Sequence, residues 1–273
     1  MHIIATCYNI TLEENAEGKG MIDLHTHILP EIDDGAIDLY DSLEMARIAV
    51  ESGTTAMVVT PHCNIPGMFE NHFGEEYIEV FQMLDKALEE SAIPLKIYPG
   101  MEVFITPDVP ELLSKGKLLT INKSRYILVE FAFDEDVSYV QRMLKKIKEL
   151  GLRPIIAHPE RYIFVQEDLQ MVYRWRKQGY LIQLNKGSLM GRFGRRAEYA
   201  AHSILRHNLV SVIASDAHGV FQRTPYMKDV YEELLEEYPE KYLWVLFEEN
   251  PRRICEDLPT VKFELKSYNE EAW

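Results

Sequence analysis

MIDLHTHILPEIDDGAIDLYDSLEMARIAVESGTTAMVVTPH, residues 21–62, is where the architecture is most legible. It opens on an apolar run, Ile22–His27, and passes into Asp38–Ser52, where Leu39, Leu43, Ala46 and Val50 recur at the three- and four-residue spacing of one helix face. Gly53 follows, the residue that most readily takes the left-handed conformation closing a helix, and a second apolar run, Ala56–Thr60, comes next. Strand, helix, glycine, strand is one βα unit. Outward from it the rhythm repeats: apolar runs at Leu95–Tyr98, Tyr126–Phe131, Pro154–Ala157, Leu181–Leu184 and Val210–Ala214 alternate with helical patterns. Those patterns are Glu75–Glu90, Val137–Leu150, Asp168–Gln178, Arg195–His207, Tyr226–Glu237 and Lys241–Phe247, with Gly151 and Gly179 repeating the role of Gly53. Strict alternation implies parallel pairing through right-handed crossovers. Seven units whose strands are apolar on both faces predict a closed or nearly closed parallel barrel, with an open doubly wound sheet as the alternative.

The composition limits the company such a barrel keeps. At 273 residues, 47% hydrophobic and 27% charged, the chain has enough apolar material for one large core, and no apolar run approaches the ~18–20 residues of a membrane-spanning helix. Residues 1–20 have neither a basic start nor a long apolar core, so they read as an N-terminal extension ahead of a second possible start at Met21 rather than a signal peptide; residues 21–273 read as a single domain. Lys and Arg total 29 against 44 Asp and Glu, a net charge of -15 that would repel nucleic acid and anionic membranes. Three cysteines, an odd number without a CxxC pair, fit a reducing cytoplasm.

In a parallel barrel, reactive groups gather at the C-terminal ends of the strands. At or just beyond six of the seven predicted ends stand His25 and His27, His62, Glu102, Glu130, His158, and Asp216 with His218. The imidazoles of His25-Thr26-His27, two residues apart on an extended segment, point to one side and can converge on one ion, and Asp216-Ala217-His218 repeats that spacing. Glu102 and Glu130 supply carboxylates able to bridge ions. Taken singly, each has a bland reading: an isolated HxH is weak evidence for metal, and a lone strand-end histidine is commonly a hydrogen-bonded structural residue. Glu130 is harder to dismiss, because an unpaired carboxylate beside an apolar run is expensive to bury. The joint pattern, five of the nine histidines with three acids at corresponding positions, points to a metal cluster. Arg161 and Arg223 follow two of these strand ends; beside a cationic centre a guanidinium calls for an anion such as phosphate, whereas on its own it would pair with a nearby carboxylate.

At these residues the chain resembles the PHP (polymerase and histidinol phosphatase) superfamily, and within it the CpsB/YwqE-type bacterial metal-dependent protein-tyrosine phosphatases linked to capsule and exopolysaccharide synthesis. The matching stretches are MIDLHTHILPEIDDGA (21–36), VVTPH (58–62), PGMEVFITPDV (99–109), RYILVEF (125–131), PIIAHPERY (154–162), VIASDAHG (212–219) with Arg223, and NPRRI (250–254). The resemblance implies a distorted (βα)7 TIM-like barrel with three divalent ions, Mn2+ first, with Fe, Zn, Co or Mg as other choices. By the same resemblance His25, His27, Glu102 and Asp216 would hold one ion, Glu102, Glu130 and His158 a second, and Asp34, His62 and His218 a third. Asp33 and Asp34 are adjacent candidates for that last carboxylate. Arg161 and Arg223 match phosphate-binding arginines, and the implied partner is a phosphotyrosine protein, the tyrosine-rich tail of a bacterial tyrosine kinase. The implied chemistry is in-line attack on phosphorus by a water that the ions acidify.

Other routes make testable demands on the sequence. A cysteine-based tyrosine phosphatase needs Arg six positions after its Cys, but Glu13, Phe69 and Val261 stand six beyond Cys7, Cys63 and Cys255. A histidinol-phosphatase-like enzyme would use the same scaffold, and an exonuclease is opposed by the charge. An amidohydrolase would want an eighth unit and often a carboxylated lysine, for which Lys186, in a loop-like NKGS, is the one nearby candidate. A non-catalytic, metal-stabilised phosphoprotein-binding module is the alternative outside enzymes; every matched position being filled favours catalysis. Asn64–Gly74 is expected as a loop walling the site, with Met68 and Phe69 against a phenyl ring.

Overall fold

Residues 20–268 are described by a computed structural model, so the expected extension lies outside the described residues up to Gly20. All seven apolar runs form parallel strands: β1 (Met21–Thr26), β2 (Thr54–Val59), β3 (His62–Cys63), β4 (Lys96–Pro99), β5 (Glu102–Phe104), β6 (Tyr126–Glu130), β7 (Arg153–Ile156), β8 (Leu181–Asn185) and β9 (Val212–Ala214). Nine strands arise from seven runs because β3 and β5 are short continuations of β2 and β4 beyond a break. At the first break Pro61 has no N–H to give a ladder. At the second, the Tyr77 hydroxyl takes up both the N–H (3.1 Å) and the carbonyl (2.9 Å) of Gly100.

The ladder accordingly splits into β1-β2-β4 and β3-β5-β6-β7-β8-β9. The result is a distorted, partly open parallel barrel, less regular than the closed one that hydrophobic pattern alone suggests. β9 meets β1 through a bridge rather than a full ladder, with Asp216 N–H on His25 O and His27 N–H on Ala217 O, both at 2.9 Å. That seam is built from the residues expected to carry the chemistry.

The helices form where the periodicity placed them. Leu39–Glu51 is capped by the Asp38 carboxylate accepting from Asp41 N–H, and Glu75–Glu90, Val137–Glu149, Gln170–Lys177, Arg195–Arg206 and Lys228–Leu235 follow. Gly53, Gly151 and Gly179 have φ of 88°, 85° and 90°, as the helix-closing role requires. Helices shorter than two turns escaped the sequence reading, among them Val109–Ser114 and Lys186–Leu189, since so few residues show no period. No helix among the described residues is long and apolar enough to cross a membrane.

The core has two parts. A large cluster packs the helices against the outside of the sheet, and a smaller one, including Leu24, Tyr126, Leu128, Ile155, Leu181 and Val212, fills the barrel itself. Two-residue steps along a strand stay on one face, so Tyr126 and Leu128 are followed inside by Glu130, Leu181 by Gln183 and Asn185, and Val212 by Asp216. An apolar plug thus gives way, at the C-terminal ends of the strands, to a buried polar layer.

Candidate metal centre

That layer gathers His25, His27, Asp34, His62, Glu102, Glu130, His158, Asp216 and His218 into four overlapping groups of potential ligands. They are His25/His27/Asp216, His25/Glu102/His158, His62/Glu102/Glu130 and His27/Asp34/His62/His218, with ligand atoms within 4.8 Å of one another in each group. Six strands and the loop after β1 contribute. Two of the residues are delivered by left-handed backbone, His158 at φ 31° and Asp216 at φ 52°. Such conformations are costly for non-glycine residues and persist where the surroundings enforce them, here to turn side chains into the mouth.

The donor chemistry fits cations. Glu102 Oε2 faces His25 Nε2 at 3.2 Å and His27 Nε2 at 3.4 Å, and Asp216 Oδ1 faces the same two nitrogens at 3.5 Å. Both oxygens, with His62 Nδ1 and His218 Nε2, are buried without a hydrogen-bond partner. His25 Nε2 and His27 Nε2 lie 3.1 Å apart, where at most one proton can sit between them. Buried lone pairs aimed at one another are unfavourable unless positive charge fills the space between them.

The electrostatics agree. Burial pushes His158 and His218 down to about 4, with His27 adding to the effect at His218, so both are neutral and present free lone pairs. At His27 burial opposes charging, but the Asp33 carboxylate 2.7 Å from Nδ1, together with Asp216 and Glu102, outweighs it and raises the affinity for positive charge. Burial also works against the charge of Glu102, yet the imidazoles of His25 and His62 hold it well below the usual carboxylate range. Glu130 goes the other way, raised by burial and by the charges of Glu102 and Asp216. Crowded carboxylates are what a cluster of divalent ions would relieve.

The two adjacent aspartates separate cleanly. Asp34 Oδ1 lies 3.5 Å from both His62 Nε2 and His218 Nε2, inside the cluster. Asp33 stands behind it, bonding His27 Nδ1 and accepting N–H groups from Gly35 (2.9 Å) and His62 (2.8 Å). The turn is pressed so closely on β1 that a Cβ at Gly35 would lie 2.0 Å from His27 O. Any side chain there would dislodge His27.

Several contributors escaped the sequence reading. β8, the one strand with no proposed ligand, supplies Gln183 and Asn185. Gln183 Oε1 lies 3.1 Å from His25 Nδ1 and accepts His158 N–H at 3.2 Å, while its amide donates to Asn185 Oδ1 at 2.8 Å. Asn185 in turn donates to Asp216 Oδ2 at 2.5 Å. Asp23 braces the β1–β9 seam by accepting Ser215 N–H at 3.0 Å. The clue was available: polar residues at alternate positions of an otherwise apolar, fully buried strand need partners inside.

Around the mouth stand the two arginines, both on the outer oxygen of Asp216, Arg161 at 3.4 Å and Arg223 at 2.5 Å. Arg161 is sandwiched between the rings of Phe133 (4.6 Å) and Phe193 (4.4 Å). They border an open cavity of about 330 Å³ whose apolar wall includes Ile65, Phe104, Phe131 and Phe133. Within the Asn64–Gly74 loop, Phe69 stacks on His62 with ring centres 5.8 Å apart, whereas Met68 is exposed. Cys63 is buried and pushed up to about 12 by that burial, so it is no nucleophile. Lys186 begins a helix instead of lying in a loop, its ammonium 3.1 Å from Asp229 and bonded to Tyr226 O.

A parallel barrel with imidazoles and carboxylates at its strand ends and guanidinium groups on the rim defines a metal-dependent hydrolase of phosphate esters. The family model for capsular polysaccharide synthesis, CpsB/CapC, matches residues 21–256. The chain belongs to that family, the CpsB/YwqE-type metal-dependent tyrosine phosphatases. It is 37% identical over 228 residues to the tyrosine-protein phosphatase YwqE of Bacillus subtilis, covering 84% of this chain and 89% of that protein. To the tyrosine-protein phosphatase CpsB of Streptococcus pneumoniae it is 33% identical over 242 residues, 87% of this chain and 99% of that one. Among solved structures, one from the study of YwqE and CpsB as unique metal-dependent tyrosine phosphatases superposes with TM-score 0.84 at 34% identity, covering 90% of this chain and 99% of the other. The phosphotriesterase homology protein of Escherichia coli, at TM-score 0.57 and 12% identity over 86% of this chain and 98% of that one, shares the fold.

Proposed function

We propose that this protein hydrolyses phosphotyrosine in a protein partner, the tyrosine-rich tail of a bacterial tyrosine kinase that controls capsule or exopolysaccharide synthesis. Residues 21–273 act as one catalytic domain, working in the cytoplasm. The observation that carries this reading is the sharing of ligands between overlapping groups, with two arginines on the same rim. Three divalent ions, Mn2+ by preference, are assigned to His25/His27/Glu102/Asp216, to Glu102/Glu130/His158 and to Asp34/His62/His218. When bound, such ions make water a nucleophile near neutral pH and draw charge from phosphoryl oxygens.

The chain's own groups do the rest. Arg161 and Arg223 grip the phosphoryl oxygens where charge spreads in the transition state, and Phe133 and Phe193 keep the Arg161 plane fixed while they do so. Asp216 works in both directions, one oxygen facing the histidines and the other holding the arginines, so that ligand and phosphate clamp share one anchor. The apolar wall beside them suits a phenyl ring, and the open mouth admits a peptide on either side of the tyrosine. Phenolate is a good leaving group, so the P–O bond can break without a strong general acid.

Metal-stripped protein assayed with and without Mn2+ on phosphotyrosine peptide, histidinol phosphate and single-stranded DNA tests this reading. Mn2+-dependent turnover of the peptide in preference to the other two, lost in His27→Ala, is expected. Peptide turnover that survives chelation would overturn the metal mechanism, and preference for histidinol phosphate would move the enzyme to the small-molecule class.

A further inference from the structure

At the opposite end of the barrel the structure has a second cavity, of about 340 Å³, with the reverse electrostatic character. It lies where β7 and β8 begin, roofed by the ends of Val137–Glu149 and Gln170–Lys177 and by the segment 260–265. Lys148, Arg153, Arg176, Lys177 and Lys262 line it, and no acidic residue does. In a chain with 44 acids to 29 bases, that exclusion of carboxylates is against the odds. None of the five cations is within ion-pair distance of a carboxylate among the described residues. Asp257, whose charge Arg153 feels, is taken by Arg125 at 2.8 Å.

The negative ends of two helices account for part of this positive charge. Lys148 donates to Gln178 O at 2.7 Å and Arg176 to Tyr180 O at 3.0 Å. They do not account for Arg153, on a strand, or Lys262, in the C-terminal segment, nor for the Nε of Arg176, which is buried without a partner. Burial lowers Arg176 to about 10, with no carboxylate to oppose it. Apart from Gln178, Gly179 and Thr260, the rest of the lining is apolar or aromatic: Leu152, Pro154, Tyr180, Leu181, Phe263 and Leu265. Concentrated cations alone suit an inorganic anion; cations on an apolar wall suit an anion with an organic body.

We propose that this cavity is a binding site for an organic phosphate carrying at least two negative charges, of the size and chemistry of a nucleoside diphosphate. The phosphates lie against Arg153, Arg176 and Lys262, and the organic part packs on Tyr180, Leu181 and Phe263. The site is separate from the phosphatase mouth, at the other ends of the same strands.

Calorimetric titration of ADP, adenosine and pyrophosphate into Mn2+-loaded protein, with free metal removed, tests it. One saturable ADP site is expected, kept within about twofold in Arg161→Ala/Arg223→Ala and weakened roughly tenfold or more in Arg153→Gln/Lys262→Gln, which removes two charge-assisted contacts. Because that second variant leaves the mouth untouched, unchanged phosphotyrosine turnover shows that it is folded. Adenosine and pyrophosphate should each bind more weakly than ADP. Absence of saturable ADP binding, loss of binding in the mouth variant but not in the floor variant, or pyrophosphate binding as tight as ADP would overturn the proposal.

Discussion

The mouth and the floor of this barrel are built by the same strands and have opposite chemistry. At the mouth, four carboxylates and five imidazoles, all but the half-exposed Asp34 buried or nearly so, converge around orphaned lone pairs, a site short of positive charge. At the floor, five cations line a cavity without a carboxylate, a site short of negative charge. The net charge of -15 describes neither end. What the contrast teaches is that ligand preference is set by which charges the fold leaves uncompensated at short range, where screening is weak, and not by the total.

The sharpest way to break the contrast is at the rim, where the mouth turns from anionic to cationic. Arg161→Ala should lower kcat by about 10²–10³-fold, the usual cost of one fixed donor to a transition-state oxygen, with a smaller change in KM. Arg161→Lys should recover little, since an ammonium cannot lie flat between Phe133 and Phe193 or donate as a fork. An Ala variant that keeps kcat with phosphotyrosine peptide within about twofold of wild type, or a Lys variant that is fully active, would leave Arg161 without that role.

A step smaller is the support behind the ligands. Gln183 touches no substrate, yet it positions His25 and His158 and, through Asn185, Asp216. Gln183→Leu should reduce Mn2+ affinity or activity by about 10–100-fold, the range for residues that orient metal ligands, and excess Mn2+ should partly restore turnover. Activity that is lost at every Mn2+ concentration would point to a collapsed barrel instead, which circular dichroism would show.

How much of this could be read from the chain alone follows from the range of the interactions involved. The seven strands and long helices are written in local period, and the ligands stood out because polar residues kept appearing where apolar strands stop. Gln183 is hidden inside the apolar run Leu181–Leu184, and Asn185 stands just past its end, at the head of the loop-like NKGS. Their meaning depends on His25, 158 residues away in sequence from Gln183. The breaks that make β3 and β5 depend on Tyr77 reaching Gly100, again a contact without a local signal. The floor cavity is less legible still, because its five cations come from four separate places in the chain and look, one by one, like ordinary helix ends and surface residues. Lys186 looked like a loop residue for the same reason: four helical residues have no period to recognise.

Lys186 also separates this barrel from hydrolases that carry a modified lysine. Its ammonium is tied to Asp229 and to the Tyr226 carbonyl. Lys186→Met should therefore leave kcat within a few-fold, and insensitive to added bicarbonate, while costing ~1–3 kcal/mol through unpaired buried partners. For a protein of this size that is a fall in Tm of several degrees. Complete loss of turnover with an unchanged Tm would restore the carboxylated-lysine reading.

The smallest expected effect tests whether the two ends are independent. Four- and five-residue strands at about 3.3 Å per residue separate floor from mouth by about 13–17 Å. The Debye length is about 8 Å at physiological ionic strength and about 30 Å at 0.01 M salt. Lys262 is exposed at the floor, so Lys262→Glu moves the local charge by two units without disturbing the packed barrel between the ends. Phosphotyrosine kcat/KM should then change by less than about twofold at physiological salt, and by somewhat more at 0.01 M, the signature of a purely electrostatic influence through solvent. A large change that persists at high salt would mean that the barrel transmits floor charge to the mouth mechanically, and occupancy of the lower cavity would then bear directly on catalysis.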